Sequence, residues 1–536
     1  MSTDSKEKKM THLADGGVLS IAPKVYARRW KTLAVLSVAL LIIGLDNTIL
    51  NVALPSLQDE FSASSSTLQW IVDSYLLVFA GLLLTMGTLG DRFGRKRALM
   101  AGLALFGGAS LAVLVVDSAN QLIVVRGLMG IGGALIMPAT LSIITNIFPR
   151  EERGKAIGIW SAMASVGIGL GPLFGGLLLE WFSWTSVFLV NVPVAGLALV
   201  AGFVLVPESR DPKPGAFDAL GAVLSIGALL ALVYPIIEAQ DRGWTNPMIL
   251  SCFGLAAILG TAFVRWELRT PSPMLNLSFF RNPRFSMGSG AIGLAFFALF
   301  GAIFALTQWM QDAHGYSALQ AGAAMVPLAA GLVVGAISSI KLVARFGTTR
   351  IVAAGLVGLG VQLATSLLWS PDMAYWSLGL WFFAVAMNMG WIMGPATESV
   401  MGAVPEDKAG VASAMNDVTR QVGGSLGTAV IGSLITSLYA ANMTDSVASL
   451  PDSAQVAAKD SVGMANAVAT KLPVSQAADL THAAASAFTD AMAIGFTVAG
   501  VTAVLAAIAV KVWLPAKHAA QPVVREVMPE PEALAA

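Results

Sequence analysis

The sequence predicts an all-α polytopic membrane protein of fourteen transmembrane helices, ordered as six, two inserted, and six more. Three observations carry that prediction. Of 536 residues, 56% are hydrophobic and only 12% are charged, about half the charged share of a soluble domain, and mean hydropathy is +0.73. Apolar runs of the roughly 20 residues needed to cross a bilayer recur along the chain. Basic residues fall in alternate loops, as they do when one side of the membrane retains them.

In order, the spans are read at 30–53, 68–90, 98–116, 121–147, 156–179, 185–206, 218–239, 247–266, 286–310, 318–341, 349–369, 376–401, 409–438 and 489–513. With both ends placed inside, inner segments hold 27 of the 32 Lys+Arg, including Lys6, Lys8, Lys9, Lys213, Lys408, Lys517 and Arg525. The outer segments hold Arg242, Lys459 and Lys471, while Arg126 and Arg420 fall within spans. One helix more or fewer would exchange the two sides downstream of the error, so the split supports an even count. It places the chain in the cell membrane as a multi-pass protein with both termini cytoplasmic.

Arg92-Phe93-Gly94 at the end of span 2 recurs as Arg345-Phe346-Gly347 at the end of span 10. An internal repeat of this kind divides the chain. The divisions are a tail at 1–29, a six-helix bundle at 30–206, two inserted helices at 207–284, a second bundle at 285–513 that includes an outer loop at 440–488, and a tail at 514–536.

Composition and motifs also exclude classes. A net charge of zero lacks the basic excess that nucleic acid requires. One cysteine, Cys252, and four histidines allow neither an intrachain disulfide nor a Cys/His metal cluster. The first apolar run is full length without a small-residue cleavage site, so it reads as a retained span. No loop or tail has room for a soluble catalytic domain, and no G-x-x-x-x-G-K-S/T phosphate loop occurs. The sequence therefore predicts no enzyme, no cofactor and no use of ATP; energy must come from an ion gradient or from a separate protein.

Charged residues in lipid cost about 2.5–3.5 kcal/mol at mid-helix on the mildest scale, so each needs a reason. Asp46 lies in span 1 within Leu45-Asp46-Asn47-Thr48-Ile49-Leu50-Asn51-Val52-Ala53-Leu54-Pro55. Asp73 follows in span 2 within Trp70-Ile71-Val72-Asp73-Ser74-Tyr75, and Arg126 lies at similar depth in span 4. Either the three form a cluster that binds a cation or a proton, or Asp73 is hydrated at the interface and Arg126 is a satisfied ion pair between helices. Trp70, one turn before Asp73, either offers its π face to a lipophilic cation or anchors the helix at the interface. Glu398, in span 12, is either a further proton or substrate site or a group that snorkels to the rim. Asp417 and Arg420 share one face of span 13 and read as a structural pair, whereas Asp218, Glu238 and Asp312 at span ends read as solvated. Trp160, Phe296, Phe297, Phe300 and Trp391 are either cavity lining or ordinary core.

Two glycine-rich runs are more specific. Gly87-Thr88-Leu89-Gly90-Asp91-Arg92-Phe93-Gly94-Arg95-Lys96-Arg97 joins spans 2 and 3 by a turn that needs glycine, with Asp91 able to face a helix N-terminus or an arginine. In span 5, Gly167, Gly171 and Gly175 recur every fourth residue around Pro172, a bare stripe that admits a neighbouring backbone.

Together these motifs resemble the major facilitator superfamily, and within it the fourteen-helix drug:proton antiporters. Gly87–Arg97 resembles the loop motif between helices 2 and 3, Arg126 with Gly130 and Gly133 the helix-4 motif, the Gly-Pro stripe the antiporter motif, and Leu45–Pro55 the helix-1 motif. The Trp70–Tyr75 run is similar to quaternary-ammonium efflux pumps of the QacA type. Two departures stand out: Ala344 occupies the place of the second repeat's loop-motif Asp, and Met415 and Asn416 stand where QacA-type pumps present a pair of Glu. The resemblance implies that Asp46 and Asp73 take part in cation recognition or protonation, that Arg126 serves proton coupling, that Asp91 latches one conformation, and that Gly171 and Pro172 shape the exchange pathway. The expected function is proton-driven export of lipophilic, cationic small molecules by alternating access. The alternatives are export of an endogenous metabolite or antibiotic by the same means, or a transport-inactive membrane scaffold or sensor.

Overall fold

The computed structural model describes residues 23–210, 218–370, 373–404 and 409–514. Lys6, Lys8, Lys9, Lys213, Lys408, Lys517 and Arg525 lie outside the described residues, as do most of both tails. Among the described residues, thirteen helices are long and apolar enough to cross a membrane. A further helix, Arg150–Trp181, carries the shorter apolar stretch Val166–Trp181 and completes the fourteen.

The helices are α1 (Pro23–Phe61), α2 (Ser65–Phe93), α3 (Arg95–Val115), α4 (Ala119–Ile147), α5 (Arg150–Trp181), α6 (Ser186–Leu205), α7 (Ala219–Arg242), α8 (Pro247–Glu267), α9 (Pro283–Ala313), α10 (Ala318–Phe346, interrupted at Met325), α11 (Thr348–Leu368), α12 (Tyr375–Met401) and α13 (Ala409–Asn442). Two short helices, α14 (Asp452–Asp460) and α15 (Val462–Ala469), precede the last span, α16 (Val474–Trp513). Polar residues start many of them: Ser64, Ser118, Asp218, Asn246, Asn282 and Ser317 each accept a backbone N–H of the first turn. The Arg-Phe-Gly repeat is structural as well as textual. Gly94 and Gly347 end α2 and α10 with φ of 119° and 85°, a region in which L side chains are strained.

Packing follows the same repeat. In the first six helices α1 packs on α5, α2 on α4, and α3 on α6. The later helices repeat the pattern, α9 on α13, α10 on α12 and α11 on α16. The inserted α7 and α8 pack on each other, and α7 lies against both α2 and α13. Little of α8 is buried.

One set of helix ends carries Arg92–Arg97, Arg265, Arg269, Arg345 and Arg350, here called the basic face; the opposite end is the loop face. Hydrogen bonds joining the two six-helix groups cluster at the loop face. Gln311 Nε2 of α9 donates to the Val52 carbonyl of α1 at 2.9 Å, and Ser433 Oγ of α13 to Gln69 Oε1 of α2 at 3.3 Å. The segment expected to be an outer loop at 440–488 is mostly helical and straps this face. Gln58 Nε2 donates to Ser461 Oγ at 2.6 Å, Ser65 Oγ to the Asp460 carbonyl at 2.9 Å, and Asn466 Nδ2 to the Asp312 carbonyl at 2.8 Å. The last span starts at Val474, well before the expected 489, because Leu480, Ala484, Ala485 and Phe488 are buried against the protein. Their Ala/Ser-rich neighbours hid that face from a hydropathy reading.

Candidate functional site

Asp46 and Arg126 meet in the interior of the first group. Arg126 Nη1 donates to Asp46 Oδ2 at 2.6 Å, and both side chains are about 98% or more buried. Asn191 Nδ2 donates to the other Asp46 oxygen at 3.3 Å, and Arg126 Nε to the Ile71 carbonyl at 3.1 Å. The guanidinium lies over the Tyr75 ring, 4.4 Å from its centroid. Local sequence builds this approach: a Cβ at Gly130 would sit 2.7 Å from the Tyr75 carbonyl, and one at Gly133 3.3 Å from its hydroxyl. Bare glycines thus let α4 close on α2 and set the arginine on the ring. Asn191 escaped the sequence reading, where its one signal is an amide at the start of a span, and Tyr75 entered it only as the end of the Trp70–Tyr75 run.

Asp73 does not join that pair, so the expected three-member cluster is two plus one. It is fully buried on α2, and among the described residues no cation pairs with its carboxyl. The Ser425 hydroxyl of α13 faces that carboxyl, placed to donate to it. One turn earlier, Gln69 is also fully buried with its Nε2 unpaired. The α2–α13 seam, which joins the two groups, is therefore polar where lipid-embedded packing is otherwise apolar. Its depth rules out the hydrated-interface reading of Asp73.

Trp70 reaches the inserted α7. Its indole N–H donates to Glu238 Oε1 at 3.1 Å and its ring lies 6.0 Å from Tyr234, both on α7. Glu238 also accepts from Arg242 at 3.1 Å, so it is a bridge rather than a solvated group. Asp218, likewise expected in solvent, caps α7 and accepts the Trp266 indole N–H at 2.8 Å. Asp312 is only half-buried, but its carboxyl packs beside Gly463 of α15.

In the second group Arg420 Nη1 lies 3.5 Å from Asp417 Oδ1, as their spacing predicts. Arg420 Nη2 donates to Thr397 at 3.3 Å, and the guanidinium sits 5.7 Å from the Phe296 ring, which stacks on Phe300. Glu398 is exposed. Trp160 and Trp391 donate to Thr140 at 3.1 Å and Ser338 at 2.9 Å.

The two glycine runs act as joints. Asp91 Oδ1 accepts from Arg95 Nε at 2.6 Å, and Arg95 reaches the Ser142 carbonyl of α4 at 3.4 Å, so of the two partners open to Asp91 an arginine is the one found. Arg92 lies over Phe93. A Cβ at Gly87 would sit 3.2 Å from Pro138, and one at Gly94 would strike the Glu208 carboxylate. On α5, Gly167, Gly171 and Gly175 face α1, where added Cβ atoms would meet the backbone of Leu41, Leu45 and Ile49. The opposite side of α5 meets α10: Gly169 faces Ala329, Gly176 faces Ala318, and Gly322 faces the Pro172 carbonyl.

A family model described as Major Facilitator Superfamily matches residues 36–428. The chain belongs to that superfamily. Among curated relatives of this major facilitator protein is "Multidrug efflux pump LfrA" of Mycolicibacterium smegmatis, 37% identical over 84% of this chain and 90% of the relative. "Tetracenomycin C resistance and export protein" of Streptomyces glaucescens is 34% identical over 93% and 94%. "Methyl viologen resistance protein SmvA" of Salmonella typhimurium is 35% identical over 84% and 91%. The crystal structure of a bacterial homolog to the human lysosomal transporter Spinster shares the fold, with TM-score 0.60 and 18% identity over 90% of this chain and 97% of that one. The superfamily and these relatives place the chain among transporters.

Proposed function

We propose that this chain is a proton-coupled antiporter that exports lipophilic, cationic compounds by alternating access, from a cell membrane whose cytoplasmic side is the basic face and holds both termini. The observation that carries the reading is the fully buried carboxyl of Asp73, faced by the Ser425 hydroxyl and with no ion-pair partner among the described residues, on the seam between the two six-helix groups. A carboxyl so placed either holds a proton or neutralises a cation, and exchange of one for the other is antiport chemistry. The Asp46–Arg126 pair supplies the coupling: a proton on Asp46 releases the arginine, and reionisation recaptures it. The groups 30–206 and 285–513 rock about the seam, with Asp91 and Arg95 stiffening the first group and the α5 glycines forming the surface on which it moves.

The names of the relatives support export of drug-like small molecules, and methyl viologen, in one of those names, is a cation. A second reading, export of one particular antibiotic, is favoured by the tetracenomycin relative that spans nearly the whole chain. Ethidium accumulation by everted vesicles energised by a proton gradient, the equivalent of cellular efflux, tests the first reading. Asp73→Asn should abolish efflux at equal protein content and Asp73→Glu should retain it; undiminished efflux by Asp73→Asn overturns the role. Substrate-induced proton release by purified protein across cationic, neutral and anionic compounds separates the two readings.

A further inference from the structure

A cavity of about 240 Å³ lies where the inserted helices meet the α2–α13 seam, walled by Ala80 and Leu84 of α2, Leu229 of α7, Phe263 of α8 and Val422 of α13, with Met274 at its floor. Its surface is apolar, and the hydroxyl of Ser225 in its wall is already bonded to the Ala222 carbonyl at 3.0 Å. The floor is fixed in place: Thr85 Oγ1 lies 3.1 Å from the Met274 sulfur, and Glu267 Oε2 accepts the Leu275 N–H at 2.8 Å. The wall residues on α7 and α8 are only half-buried, so the cavity is open at the side where α8 turns most of its surface outward.

Asp73 precedes Ala80 by seven residues, about 10 Å along the helix, and Ser425, which faces Asp73, is one turn beyond Val422. Along both helices of the seam, the buried carboxyl therefore lies to the loop-face side of the cavity, two turns from Ala80 on α2, with Ser425 one turn from Val422 on α13. We propose that this cavity is the subsite for the apolar body of the exported cation, that the cation's charge lies at Asp73, and that α7 and α8 form a lateral wall through which an apolar molecule enters from the bilayer. Aromatic rings within about 10 Å of a single positive charge fit this geometry. The proposal rests on the antiporter reading and adds the place and shape of its binding site.

Equilibrium dialysis of tetraphenylphosphonium with purified full-length protein tests it. Ala228→Trp, which fills the cavity from α7, should weaken binding at least tenfold, as should Asp73→Asn. In a Cys252→Ser background, alkylation of Met274→Cys by N-ethylmaleimide should slow at least fivefold when tetraphenylphosphonium is bound; this measurement decides the matter if Ala228→Trp does not fold. Wild-type affinity in Ala228→Trp, or unprotected Met274→Cys, with binding lost in Asp73→Asn, overturns the cavity assignment and leaves the antiporter reading standing. No binding to the wild-type protein, together with no proton-driven cation efflux, overturns both.

Discussion

The Thr48 hydroxyl donates to the Ile168 carbonyl at 2.9 Å, the carbonyl that Pro172, four residues on, leaves without its helical N–H. A proline inside a membrane helix is tolerated when a neighbour satisfies the freed group, and here a residue of the helix-1 motif serves the antiporter motif of α5. Thr48→Val should cost about 1–3 kcal/mol, the penalty for an unsatisfied buried acceptor, seen as a lower thermal midpoint in detergent. Pro172→Ala restores the missing N–H, so the double variant should be less destabilised than Thr48→Val alone. Additive losses would show that the two residues are not coupled.

Asp46 and Arg126 should be costly to separate and cheap to remove together. Breaking a buried pair leaves an uncompensated charge, at about 3–5 kcal/mol. Arg126→Ala should therefore reduce the folded yield sharply, whereas Asp46→Asn with Arg126→Gln should recover a stable protein that no longer couples ethidium efflux to protons. Thermal melts and vesicle transport on the same preparations separate the two effects.

Glycines of one helix should differ in their tolerance. A Cβ at Gly176 would sit 2.5 Å from the Ala318 carbonyl, whereas one at Gly158 would meet nothing within 4 Å. Gly176→Val should lower ethidium efflux at least tenfold by forcing α5 from α10. Gly158→Ala should leave efflux unchanged and gain up to about 1 kcal/mol of helix stability.

At the basic end of α5, Glu152 accepts from Arg29 Nε and Nη2 at 2.7 and 3.0 Å, and this fork holds its carboxyl below the ordinary 4.5. A carboxyl lowered by folding adds stability that is fully present above its unfolded value and is lost as pH falls through the lowered one. For a part-exposed pair the contribution is about 1 kcal/mol or less. Glu152→Gln should therefore melt slightly below wild type at pH 7, with the difference vanishing as pH drops under 4.5; a gap that persists in acid would assign the effect to packing.

Much of the fold was legible because lipid imposes a simple code. Spans show as apolar runs, and the Arg-Phe-Gly repeat marks corresponding helix ends with glycines of positive φ. The candidate site was legible as residue types, since a charge in lipid is conspicuous. Partners were not. Asp46, Asp73 and Arg126 lie at similar depth by sequence, but depth does not say which face of a helix points where, and rotation about the axis paired two of them and left the third alone. Trp70 and Asp73 are three residues apart, yet the indole N–H is bonded to the inserted α7. The helical strap at 440–488 was hidden because alanine and serine register weakly in hydropathy even when they pack tightly.

By itself, then, the sequence determined the membrane class, the count of helices, their repeat and the short roll of charges that lipid must accommodate, because each follows from the cost of moving a residue out of water. Only the tertiary structure decided that Arg126 neutralises Asp46, that Thr48 repairs the bond Pro172 breaks, and that an apolar cavity walled by the inserted helices opens two turns along α2 from Asp73. Those outcomes depend on the rotation and approach of helices far apart in the chain, set by where glycine lets one backbone touch another.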